Sequence, residues 1–132
     1  MDARELRIGN IVKWADDNNA PFMELSISGV FNGGDVWVEW VWYDGQKDDA
    51  DCAIEELAPI PLTEEWLTRF GFERQGLNRF WNDPVLLIFY VDCCVYLVNQ
   101  RHVNIYYVHQ LQNLYFALTG AELELKDDAK EN

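Results

Sequence analysis

With 132 residues, of which 49% are hydrophobic and six are tryptophan, the chain suffices for one domain or two very small ones and is too rich in aromatic bulk to be disordered. Its formal net charge of −13 excludes the basic surface that binding to a phosphate backbone requires, so no direct nucleic-acid contact is expected. The excess is uneven: residues 1–60 hold 13 acids against 4 bases, residues 61–120 hold 5 against 4, and residues 121–132 hold 5 against 2.

In chain order, "LRIGNIVKW" (6–14) reads as a short strand entered through Gly9-Asn10, and "ADDNNAP" (15–21) as a loop. "FMELSISGVF" (22–31) alternates, with Met23, Leu25 and Ile27 on one side and Glu24, Ser26 and Ser28 on the other, the pattern of a half-buried strand. "NGGD" (32–35) is a hairpin signal, because Asn and Gly tolerate positive φ. "VWVEWVWY" (36–43) returns with Val36, Val38, Trp40 and Trp42 on an apolar face and Trp37, Glu39, Val41 and Tyr43 on a mixed one. "DGQKDDAD" (44–51) reads as a solvated loop and "CAIEEL" (52–57) as a last short strand. Four short strands with turns between them predict a small all-β unit, specifically an SH3-like β-barrel.

"PIPLTEEWLTRFGFE" (59–73) marks a junction. Pro59 and Pro61 cannot donate ladder hydrogen bonds and end the β unit. Thr63 suits a helix N-cap, Glu64 and Glu65 fall in the first turn, and Leu62 and Leu67 have the spacing of a hydrophobic staple. Gly71 closes a helix predicted over about 64–70 that presents Trp66, Leu67 and Phe70 to a core. Strands follow at "NRFWND" (78–83), "VLLIFYV" (85–91), "CCVYLVN" (93–99) and "HVNIYY" (102–107). The run 85–91 is apolar at every position, so both its faces are covered or one is an interface, which admits a homodimer built on it. "VHQLQNLYFALTG" (108–120) repeats Val108, Leu111, Leu114, Tyr115 and Leu118 at helical spacing, with Gly120 as cap and with His109, Gln112, Asn113 and Phe116 on the opposite, polar side. "KDDAKEN" (126–132) is a polar tail.

The expected architecture is therefore α+β: a barrel-like unit at 1–60, a junction helix with an antiparallel sheet and one C-terminal helix at 61–125, and the tail at 126–132. Three cysteines, Cys52, Cys93 and Cys94, make no disulfide framework and suit a reducing cytoplasm. The charged start resembles no signal peptide, and the most apolar window, 85–98, is shorter than the roughly 20 residues of a membrane span. No membrane association is expected.

"ELRIGNIV", "PIPLTEEWLTRFGFE" and "YVHQLQNLYFALTGAEL" resemble three blocks of a family of small uncharacterised proteins of bacteriophages and prophages of Bacteroidetes-type gut bacteria. The blocks cover about 40 of the 132 residues and span both ends. The resemblance implies a viral or mobile-element origin, and so a host-cell cytoplasm. It carries no catalytic residue, because the family has no established activity.

Several constellations could carry chemistry. Asp48, Asp49, Asp51, Glu55 and Glu56 could gather around a hard cation as a metal-dependent hydrolase, although their spacing matches no calcium loop; a solvated loop is the plain alternative. His102 and His109, with Cys93 or Cys94, lack a recognised zinc spacing. Cys93 and Cys94 lie in an apolar strand, a poor setting for a nucleophile. A nucleotide or other small ligand would need a pocket between the halves lined by Trp, Tyr and Arg79 or Arg101. No nucleotide-binding or hydrolase motif is present, and neither a cofactor nor a metal ligand set is expected. The mixed strand face is the most telling feature. Trp37 and Tyr43 beside Glu39, with Asp48, Asp49 and Asp51 next in the chain, suit a basic protein partner, unless the second half covers them. The expectation is a non-enzymatic acidic binding protein that docks on a host or phage protein, one form being inhibition of a defence nuclease.

Overall fold

Arg7–Asn10 folds as a turn before the first strand. The buried Asn10 side chain accepts the Arg7 N–H through Oδ1 at 2.7 Å, and the Asn10 N–H reaches the Arg7 carbonyl at 3.0 Å. A buried amide that satisfies the backbone in this way fixes where the sheet begins. The computed structural model describes residues 1, 3–15, 23–31, 33–42, 44–90, 94–98 and 101–126, with backbone alone at 3, 94, 95, 97, 98 and 101. The loop expected at 15–21 and the tail at 126–132 lie almost wholly outside the described residues, as does Tyr43.

Two compact units divide the chain, Met1–Ile60 and Pro61–Asn132. In the first, strands β1 (Ile11–Trp14), β2 (Leu25–Val30), β3 (Asp35–Val41), β4 (Lys47–Ala53) and β5 (Leu57–Ala58) form one curled antiparallel sheet, a half-barrel, in the order β4-β3-β2-β1-β5. A 3-10 turn, Ile54–Glu56, carries the chain from β4 to β5, which pairs with β1 at the far edge. Alternation places Val12, Leu25, Ile27, Val36 and Val38 inside, where they cluster with Leu6 and Leu57, while Trp14, Met23, Trp40, Cys52 and Ile54 pack against the cluster from its margin. Each fully buried aliphatic side chain contributes about 1.5–3 kcal/mol.

The acidic segment departs from expectation. Residues 47–53 are not a loop but strand β4, paired with β3 along its whole length from Asp35↔Ala53 to Val41↔Lys47. Composition is misleading here because β4 is an edge strand. One long side is unpaired, its side chains are mostly solvated, and charge on such an edge discourages pairing with other chains. The strand expected at 52–57 is correspondingly divided among the end of β4, the 3-10 turn and β5.

The second unit opens on helix α1 (Glu64–Arg69). Thr63 caps it, its Oγ1 accepting the Trp66 N–H at 3.4 Å, and Gly71 ends it at φ 88°. Trp66, Leu67 and Phe70 are buried, as the spacing predicts. Five strands follow, β6 (Glu73–Arg74), β7 (Arg79–Asn82), β8 (Val85–Phe89), β9 (Cys94–Val98) and β10 (Arg101–Ile105), in a purely sequential antiparallel sheet. The two-residue β6 has no signal in the sequence and exists only through its pairing with β7. Helix α2 (Val108–Thr119) is closed by Gly120 at φ 76°. Its buried arc is Val108, His109, Leu111 and Gln112, so His109 and Gln112 are not on an outer polar face, and Leu118 is exposed. Helical spacing gives a period but leaves the rim of the buried face open. At the first turn Tyr107 stacks on His109 with centroids 6.1 Å apart, and the buried rim takes in the polar residues there.

Candidate functional site

Register decides which of the predicted site residues meet. On β3 and β4, Trp37 stands opposite Asp51 and Glu39 opposite Asp49, while Trp40 stands opposite Asp48. Directly opposed residues share a face, so Trp37, Glu39, Asp49 and Asp51 lie together on the outer face of the first sheet. Asp48 does not join them. It belongs to the inner face, where its Oδ2 accepts the Trp42 Nε1–H at 3.3 Å and its Oδ1 accepts the Asp49 N–H at 2.9 Å. A loop would have left all three aspartates free to gather, whereas a strand sends its neighbours to alternate sides.

The outer face is open. Trp37 keeps 39% of its surface exposed, and Glu39, Asp49 and Asp51 are exposed as well. Beside Trp37 lies a second aromatic residue, Phe31, which sequence reasoning did not single out; it is 51% exposed. Its ring rests over Gly29, where a β-carbon would come within 3.1 Å of it and within 3.6 Å of the Trp37 Cβ. Glycine at position 29, facing Trp37 across a bulge in the β2–β3 pairing, is what lets the Phe31 ring lie down there. Two carboxylates directly opposed across a ladder, as Glu39 and Asp49 are, oppose folding by about 0.2–1 kcal/mol.

The inner face ends in indoles. Trp14 meets Trp40 edge-to-face with centroids 5.9 Å apart, and Trp40 meets Trp42 in the same manner, also at 5.9 Å. The Trp40 Nε1–H is buried and meets no acceptor among the described residues. Beside Trp14 a cleft of about 340 Å3 is lined by Trp14, Ala15, Glu55 and Glu56. The apolar face expected of Val36, Val38, Trp40 and Trp42 is therefore core only in its first half; Trp42 is exposed. Strand parity alone had aligned these tryptophans, but not their reach to the surface.

Comparison of the chain with protein-family models, with curated proteins and with solved structures finds no match.

Among the described residues no three His, Cys, Asp or Glu side chains are placed to hold a metal ion together. The five acids proposed for a hydrolase are divided between the two faces of β4 and the 3-10 turn that follows it. His102 is exposed on β10 and His109 is buried in α2. Cys93 lies outside the described residues. Arg79 is exposed on β7, and the Arg101 side chain lies outside the described residues. Burial, reinforced by the carboxylates of Glu56, Asp51 and Asp35, pushes the Cys52 thiol above its ordinary pKa, the opposite of what a nucleophilic cysteine needs.

Proposed function

We propose that the protein is a non-enzymatic docking protein of phage or mobile-element origin whose first unit engages a basic surface on a host or phage protein. The observation that carries this reading is the cross-strand register that sets Trp37 opposite Asp51 and Glu39 opposite Asp49 on an exposed face. Aromatic surface flanked by carboxylates attracts lysine and arginine side chains by packing, cation–π contact and charge. Retention of a like-charge pair at a cost to stability fits a surface selected for a partner. An SH3-like barrel is the finer description favoured for this unit. It is supported by the strand order β4-β3-β2-β1-β5 and by the 3-10 turn that leads β5 back to β1. Inhibition of a defence nuclease, with carboxylates occupying a groove meant for phosphates, is one concrete form of such docking in a host-cell cytoplasm.

Hexa-arginine peptide is a suitable probe, titrated against the intact protein by tryptophan fluorescence. Trp37→Ala is expected to weaken binding about threefold to fivefold. Asp49→Lys should weaken it further while stabilising the fold by about 0.5 kcal/mol, because it replaces repulsion with attraction across the ladder. That combination separates a partner-binding role from a folding role. Unchanged binding in both variants would remove the outer face from consideration.

A further inference from the structure

We infer that the cleft at the end of β1 binds the guanidinium of an arginine side chain presented by a basic peptide. The cleft, about 340 Å3, is at the small end for a ligand pocket and has room for an arginine side chain. Its chemistry is specific. Trp14 supplies an indole wall, held in place by its edge-to-face contact with Trp40. Pairing of Trp14 with Leu57 sets that indole against the 3-10 turn, which contributes the carboxylates of Glu55 and Glu56. Glu56 is oriented by its own bond, Oε2 accepting the Ala53 N–H at 2.7 Å. Glu55 has no ion pair or hydrogen bond among the described residues.

A planar cation that stacks on an aromatic face while donating in-plane hydrogen bonds to carboxylates satisfies all three groups at once. Guanidinium does this; the compact, strongly hydrated ammonium of lysine does it less well. The protein uses the same pairing internally, with the Arg69 guanidinium 4.3 Å above the Trp66 ring. Among the described residues, none of the four bases of residues 1–60 lines the cleft. The surrounding excess of 13 acids over 4 bases in that segment favours a cation from outside. The inference rests on the reading of the first unit as a dock for a basic partner, but it uses a different face and different residues.

The test is a titration of the intact, nitrogen-15-labelled protein with the capped peptide acetyl-Gly-Arg-Gly-amide, following the tryptophan indole signals. The Trp14 signal is assigned with Trp14→Phe. A saturable shift of that signal is expected, absent when citrulline replaces the arginine. Glu55→Gln, an exposed and structurally mild change, should weaken binding about threefold to fivefold, and Glu73→Gln, exposed on β6 of the second unit, should leave it unaltered. An unmoved Trp14 signal, or an equal response to the citrulline peptide, overturns the inference. If hexa-arginine still binds through Trp37 in that event, the cleft falls and the outer-face reading survives. If the single-arginine peptide binds while hexa-arginine ignores Trp37→Ala, the outer face falls and the cleft stands.

Discussion

Cys52 shows how one side chain records its surroundings. It lies half-buried at the inner margin of β4, opposite Val36, within the field of the Glu56, Asp51 and Asp35 carboxylates. Both burial and charge disfavour the thiolate, burial more strongly, so the folded state holds the thiol proton more tightly than the unfolded chain does. The resulting stabilisation is complete below the ordinary thiol pKa and is lost as pH rises through the raised one. Urea midpoints of the wild type are therefore expected to fall on the alkaline side of the ordinary thiol range, and Cys52→Ala to lack that part of the decline. A parallel pair of pH profiles checks this, and coincident profiles would contradict it. Two of the carboxylates that impede this thiol, Asp51 and Glu56, are also among those offered to a cation.

The end of α1 is the clearest case of backbone demand at the scale of an element. Gly71 sits at φ 88°, in the left-handed region, and its N–H reaches the Thr68 carbonyl at 3.0 Å. A β-carbon there would also come within 2.8 Å of the Lys126 side chain. Left-handed strain costs an L-residue about 1–2 kcal/mol, and the flexible lysine stem can give way, so strain is the larger effect. Gly71→Ala is expected to destabilise the protein by about that amount in chemical denaturation, with little change in binding to hexa-arginine. β4 illustrates the opposite influence. Nothing local in "KDDADCA" favours a strand; seven registered pairs with β3 impose one.

At the scale of the whole molecule, two compact units each hold a buried core. Among the described residues, the first has a cluster of seven buried side chains between Leu6 and Leu57. A unit of that size is marginal by surface-to-volume scaling, with little to spare above the threshold of folding. A fragment of residues 1–60 is nonetheless expected to unfold cooperatively and to keep the near-ultraviolet signature of its coupled tryptophans. A fragment without that signature would contradict this. No helix among the described residues is long and apolar enough to cross a membrane.

Much of this fold is legible in the residues because it depends on local chemistry. The Thr63 cap, the Gly71 and Gly120 termini and the alternation that buries Leu25, Ile27, Val36 and Val38 follow from dihedral preference and from a side-chain period of two or of 3.6, which act over a few residues. The candidate site is legible only in part. Sequence alone determined that Trp37 and Glu39 share a strand face and that acids crowd the following segment. Tertiary structure decided that this segment is an edge strand, that Asp49 and Asp51 therefore join Trp37 while Asp48 goes to the opposite face, and that Glu55 and Glu56 come up against Trp14. The reason is physical. Cross-strand register and the return of β5 to β1 are set by pairing between residues far apart in the chain, and a pattern read along one strand contains no information about the strand beside it.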